Sequence, residues 1–363
     1  MDSDAGHVVT VEGRIDPDEL GVTLPHEHMF ADASNWFTPP ESAYERKLAE
    51  EPVTLENRGY IEHNLYGSVD NMRLNSHEEA VEEITRFQRA GGDAVVDLTP
   101  KNVGRDPRRV RGIARETGLT FVHGTGYYVR TAHPEYLDDM SGEEIEAEFV
   151  SDVREGIGDT DVRAGIVGEL GASGRIHEVE EKVIRAGARA AARTGAPMNI
   201  HTPGRTPHSQ KDRTYPPSRW ALDLIDICEQ EGLPADRVVM SHLDRTFYED
   251  LDYQREVAER GAYVEYDLWG LEAYIKEFDD GLPSDVRRAE WVAELVEDGY
   301  ADRLLFSQDV WGKIQRVKYG GYGYAHLLEN VAAILRAQGV SRETFEKITV
   351  ENPRRVLTFE EPE

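Results

Sequence analysis

With a single cysteine, Cys228, among 363 residues, the chain cannot form an internal disulfide, which excludes a disulfide-built scaffold. No apolar run exceeds about half a dozen residues, against the roughly 20 that cross a bilayer, so no membrane-spanning helix is expected. The opening MDSDAGH has neither the basic nor the apolar stretch of a signal peptide, and the expected location is cytoplasmic. Basic residues are scarce. There are 41 against 70 acidic ones, only eight of them lysine, and the net charge is −29. Such a chain repels a phosphate backbone, so nucleic acid is not an expected partner. The acids are spread along the chain rather than gathered in a tail, a pattern that suits a salt-rich cytoplasm where screening makes high surface charge tolerable. An ordinary acidic enzyme is the alternative.

Linkers are missing too. No Gly/Ser or Pro run separates two halves and no sequence repeat appears, so residues 1–363 read as one domain. What recurs is a short apolar run ending in polar residues, followed by a longer segment of helical period. Eight runs qualify as strands: 22–30, 93–100, 119–128, 163–171, 197–203, 237–244, 262–270 and 303–310. Amphipathic stretches at 77–90, 107–118, 178–195 and 218–232 lie between them, several ending in the glycine expected beyond a helix C-terminus. Eight such units in one α/β domain predict a (β/α)8 TIM barrel, whose catalytic groups sit at the C-terminal ends of the strands. An open doubly wound sheet is the rival, but no G-x-G-x-x-G follows any strand. Residues 7–21 read as a hairpin plugging the opposite end. Three long connections, 31–75, 204–217 and 311–324, follow strand ends on the catalytic face.

Strand one ends in His26-Glu27-His28, and alternate residues on a strand share a face, so both imidazoles look into one space. Other strand ends carry Glu169, His201, His242 and Asp309. Six metal-competent residues at the place where barrel chemistry happens predict a metal site. His63, His77, His177 and His208 fall in loops or at helix starts and are expected to face water. His123 is expected in the core. Asp97, buried in strand two, needs a partner and is expected to contact a ligand histidine. Asp244 is expected to relay a proton outward or to orient His201, with a salt bridge to Arg245 as the alternative.

The segments LGVTLPHEHMFAD, GTGYY, GELGASG, TGAPMNIHTPG, SHLDR, LFSQDV and ENPRRVL resemble the phosphotriesterase family of the amidohydrolase superfamily along nearly the whole chain. The resemblance implies two divalent metals, usually zinc. His26, His28 and Asp309 would hold one and His201 and His242 the other, with a carboxylate and a hydroxide shared between them. Many family members carry a carbamylated lysine in strand four. Glu169 stands there instead, which resembles the glutamate-bridged branch and argues against efficient organophosphate hydrolysis.

The implied activity is hydrolysis of a small carbonyl substrate by the shared hydroxide. A lactone comes first, an amide or N-acyl compound second and a phosphotriester third. A catalytically silent binding protein is the reading from another class. Asp309 would take and return the proton, and Tyr127 or Tyr128 would donate to the developing oxyanion. Loop 311–324 holds Lys313, Arg316 and Lys318 and no acid, and loop 204–217 adds Arg205 and other cations, so an anionic substrate held by Arg205, Lys313 and Arg316 is expected. Pairing of these cations with acids of loop one, or of a second subunit in a homodimer, is the alternative.

Overall fold

The computed structural model describes residues 3–174, 176–203, 220–245, 251–275 and 280–362. Eight parallel strands run in chain order around a barrel: β1 (Thr23–Glu27), β2 (Ala94–Asp97), β3 (Thr120–Thr125), β4 (Ile166–Gly171), β5 (Met198–His201), β6 (Val238–Ser241), β7 (Tyr263–Tyr266) and β8 (Leu304–Phe306). Each lies inside one of the eight runs read from the sequence. Neighbouring strands pair in a continuous ladder from β1 to β8. The seam is closed where Asp309 N donates to His26 O (3.3 Å) and His26 N donates to the Ser307 hydroxyl (3.1 Å).

Helices α1 (His77–Arg89), α2 (Pro107–Thr117), α3 (Gly142–Arg154), α4 (Glu178–Thr194), α5 (Trp220–Gln230), α6 (Leu251–Glu259) and α7 (Asp285–Glu297) cover the outside. Their boundaries follow local chemistry. Ser76 caps α1 by accepting from Glu79 N, and α2 and α4 stop at Gly118 and Gly195, both in the left-handed conformation.

Strand alternation sorts the core into two clusters. Ala94, Val96, Val122, Ile166, Val239 and Leu305 fill the barrel interior, while Val95, Phe121, Val167, Met240, Val264 and Phe306 face the helices. Val8 of the antiparallel hairpin Val8–Thr10/Gly13–Ile15 joins the interior cluster, so the hairpin packs against the N-terminal end of the barrel. At the opposite end a cavity is lined, among the described residues, by the segments after β1, β7 and β8.

Candidate metal centre

Plain alternation carries some of the polar groups to the open end. On β5, Asn199 and His201 point inward, and on β7 Tyr263, Glu265 and Asp267 do the same, with Ile200, Val264 and Tyr266 packed outward. Elsewhere the backbone departs from the ladder to bring a side chain in. The β1–β2 register shifts between Leu24 and Glu27, where Pro25 offers no N–H, so His26 and His28 turn inward although Leu24 faces out. A second shift between Val167 and Leu170 does the same for Glu169, and a Cβ on Gly168 would lie 2.7 Å from Asn199 O. His242 and Asp309 reach the site from φ of 60° and 47°, a conformation unusual for non-glycine residues and characteristic of functional sites.

The six residues form one buried cluster. Glu169 Oε1 lies 2.7 Å from His201 Nδ1, 3.2 Å from His242 Nε2 and 3.7 Å from His26 Nε2, and Asp309 Oδ1 lies 3.1 Å from His28 Nε2. Every outer imidazole nitrogen of the strand-one and strand-six histidines is occupied. His28 Nδ1 donates to the Thr99 hydroxyl (3.0 Å), which itself donates to Phe30 O. His242 Nδ1 donates to Asp267 Oδ1 (2.8 Å), and His26 Nδ1 lies 3.1 Å from Glu265 Oε2 and 3.3 Å from Asp267 Oδ2. These partners hold the proton on Nδ1, so that Nε2 is the nitrogen each ring would offer to a cation at the centre. His26 Nε2 is fully buried and has no hydrogen-bond partner among the described residues. That orphaned nitrogen, beside the carboxylates of Glu169 and Asp309, fits a cation.

Charge agrees. Glu169, Glu265, Asp267 and Asp309 are buried, and among the described residues their ion-pair partners are histidines alone. Four such carboxylates match two divalent cations, whereas four unneutralised charges in this volume would be costly. Burial holds His201 down to about 4, which keeps it neutral as a ligand must be. Burial pushes Glu169 up, but the neighbouring His201 and His242 outweigh it and hold its carboxyl well below the usual range.

Two supports went unread in the sequence. Glu27, between the two histidines, accepts from Ser307 Oγ, Gln308 N and Val310 N at 2.8–2.9 Å, and so clamps the backbone on both sides of Asp309. Burial pushes Glu27 up to about 7 even with these donors. Glu265 and Asp267 form the floor under His26 and His242. The alternation V-E-Y-D in strand seven, which places two carboxylates on one inward face, is the signal that could have revealed them. Asp97 acts one step removed from the expected contact: it accepts from Met29 N (2.9 Å) and Thr99 N (3.0 Å), thereby setting the threonine that holds His28.

Other expectations need correction. Tyr128 faces the site, its hydroxyl 3.3 Å from His201 Nδ1, whereas Tyr127, adjacent on an extended chain, is turned away and donates to Glu148 (2.9 Å) beside Lys101. Tyr127 therefore does not line the cavity above the cluster. Lys313 pairs with Asp70 of loop one at 2.6 Å, and Arg316 is buried, donating to Met29 O (3.0 Å) with Glu79 nearby at 3.8 Å. The basic loop neutralises acids from loop one and α1 and presents neither cation to the cavity. Asp244 pairs neither with Arg245 nor with His201. Its Oδ2 accepts from Arg288 Nε (2.9 Å) and Leu268 N (3.0 Å). His123 is buried in the core, while His63 and His177 are exposed and His77, half-buried, pairs with Glu116 at 2.7 Å. Arg205 and His208 lie outside the described residues.

Above the cluster opens a cavity of roughly 890 Å³ including its mouth, with His28, Glu169, His201, His242 and Asp309 at its base. Trp36, Tyr66, Tyr128 and Trp311 form one wall and Leu268, Leu271 and Leu282 another. Arg245 is the one lysine or arginine among the described lining residues.

Comparison with known proteins agrees with this geometry. The sequence profile of the phosphotriesterase family matches residues 6–357. The N-acetyltaurine hydrolase of Xenopus tropicalis is 36% identical over 362 residues, spanning 99% of this chain and all of the relative. Among solved structures, a resiniferatoxin-binding protein from Rhodobacter sphaeroides superposes with a TM-score of 0.92 at 34% identity, with 98% of each chain covered. A lactonase from Listeria monocytogenes superposes at 0.75 with 25% identity, over 98% of this chain and all of the other. The strand-end cluster of metal-competent residues, the barrel that carries it and these full-length likenesses agree: this chain belongs to the phosphotriesterase family and is a hydrolase of its metal-dependent type.

Proposed function

We propose that the chain hydrolyses the amide bond of a small N-acyl compound that carries an anionic group, using two divalent cations, zinc in our reading. The observation that carries this proposal is Arg245. It lines the cavity three residues after His242, its Nη1 donates weakly to Thr202 O (3.4 Å), and among the described residues no carboxylate pairs with it. An arginine with no carboxylate partner among the described residues, beside a hydrolytic centre, suits a carboxylate or sulfonate. N-acetyltaurine, the substrate in the name of full-length relatives, is an amide of that shape, with a short acyl group at one end and a sulfonate at the other.

His26, His28 and Asp309 would hold one cation and His201 and His242 the other, with Glu169 facing both. When bound, such a pair polarises a carbonyl and lowers the pKa of a water toward neutrality. Asp309 accepts the proton of the attacking water and returns it to the leaving amine, being held acidic against burial by its hydrogen bond with His28. Tyr128, whose hydroxyl burial keeps protonated, donates to the oxyanion that develops on the carbonyl oxygen. Arg245 fixes the far end of the substrate.

Lactone hydrolysis is the second reading, favoured by the leucine wall and by the lactonase likeness. The test is a substrate series: an N-acetyl amino sulfonate, its neutral isostere and a γ-lactone. The proposal expects the anionic amide to give the highest kcat/KM, and Arg245→Met to raise KM for it by about 10- to 100-fold while leaving the neutral amide unchanged. A lactone preferred over every amide, or an Arg245→Met effect equal on charged and neutral amides, contradicts it.

A further inference from the structure

Behind the leucine wall lies a buried charge cluster that the chemistry above does not use. Arg288, on helix α7, is completely buried. Three of its nitrogens have separate partners: Nε donates to Asp244 Oδ2 (2.9 Å), Nη1 to Asp285 Oδ1 (3.1 Å) and Nη2 to the carbonyl oxygen of Leu271 (3.1 Å). Both carboxylates also hold the segment that follows β7. Asp244 Oδ2 accepts from Leu268 N at 3.0 Å and Asp285 Oδ1 accepts from Gly270 N at 2.9 Å. Gly270 has φ of +85°, a conformation that glycine adopts without strain. Asp285 is anchored in turn, its Oδ2 lying 2.6 Å from His326 Nε2.

Within four residues, then, Leu268 N, Gly270 N and Leu271 O are all tied to one guanidinium or to the carboxylates it binds. The same segment supplies Leu268 and Leu271 to the substrate cavity. A buried arginine and two buried aspartates would be costly unpaired, and a guanidinium held by a separate partner at each of three nitrogens has few alternative geometries.

We infer that Arg288 is a positioning residue for substrate specificity: through Asp244 and Asp285 it fixes the backbone that presents the leucine wall, and so sets the depth and shape of the cavity without touching substrate or cation. The metal floor is held separately by Asp267 and Glu265, whose contacts are to His26, His242, Ser241 and Asn199. Loosening the brace therefore moves the wall more than the ligands. A wall contact made equally in the ground and transition states appears in KM, whereas a disturbed metal ligand appears in kcat.

The inference rests on the hydrolase reading but not on the choice of amide, because the assay uses whichever of the three substrates the wild-type enzyme turns over best. Arg288→Lys keeps the charge but cannot serve three directions from a planar fork, and Asp285→Asn weakens the brace from its other end. The expected result for each is a KM rise of about 5- to 20-fold, exceeding any fall in kcat, with the full complement of bound metal retained. The double variant should be less than additive in log KM, since both changes break one brace. If Arg288→Lys fails to fold, Asp285→Asn alone decides. An unchanged KM with only a lower melting temperature would reduce Arg288 to a structural ion pair, and a fall confined to kcat or metal content would place its effect on the metal floor. Either result overturns the inference.

Discussion

Asp267→Asn is the sharpest probe of how this chain prepares its histidines. The aspartate is fully buried and serves three donors: Oδ1 accepts from His242 Nδ1 at 2.8 Å, Oδ2 accepts from His242 N at 3.0 Å, and His26 Nδ1 lies 3.3 Å from Oδ2. Asparagine has the same shape but only one acceptor end. Whichever way its amide is turned, an NH₂ meets an N–H of one histidine or of the backbone. If the NH₂ faces Nδ1 of His242, the ring must switch tautomer, its Nε2 becomes protonated, and it no longer offers a lone pair to a cation. Loss of such a support costs about 10- to 100-fold in metal affinity or activity, or roughly 1.4 to 2.7 kcal/mol. Chelator competition should show one cation per chain released that much more readily, with kcat falling in parallel when metal is limiting and recovering partly in excess metal. Wild-type affinity and kcat in Asp267→Asn would refute the claim that this carboxylate sets the tautomer.

Two further outcomes are expected. In metal-stripped protein burial opposes protonation of His242, but the Asp267 carboxylate outweighs it and raises its pKa to about 9. The stability this gives is fully present below the unfolded pKa of about 6.5 and is lost as pH rises through about 9, so the melting temperature of stripped protein should fall between pH 7 and 9.5. Metal-loaded protein, in which that nitrogen carries no proton, should show no such fall, and parallel curves for the two forms would contradict the assignment. The net charge of −29 predicts a melting temperature that climbs steeply from low salt to molar KCl, and a flat response would leave only an ordinary acidic enzyme.

Much of the fold was legible because its signals are local. Eight short apolar runs, four helical periods of which several end in glycine, and a short hairpin are properties of neighbouring residues: each strand lies inside its run, helices occupy 77–89, 107–117, 178–194 and 220–230, and the hairpin strands span 8–15. The inward aim of His26, His28 and Glu169 was less legible than it looked, since simple alternation fails on β1 and β4 and register shifts correct it. Pairing across long sequence distance was not legible at all. Lys313 meets Asp70 and Arg316 approaches Glu79, each more than 200 residues away, so a loop that is basic in sequence is neutral in place. Asp244 and Arg245, adjacent in the chain, diverge, one toward helix α7 and the other toward the cavity.

The proposed hydrolysis requires two divalent cations held by His26, His28, Glu169, His201, His242 and Asp309. Elemental analysis of the purified, active protein, followed by chelation and readdition of metal, tests this requirement most directly. The expected result is about two divalent ions per chain, loss of hydrolysis on chelation, and recovery that reaches its plateau at two equivalents. Full activity in a preparation that contains no metal would contradict it.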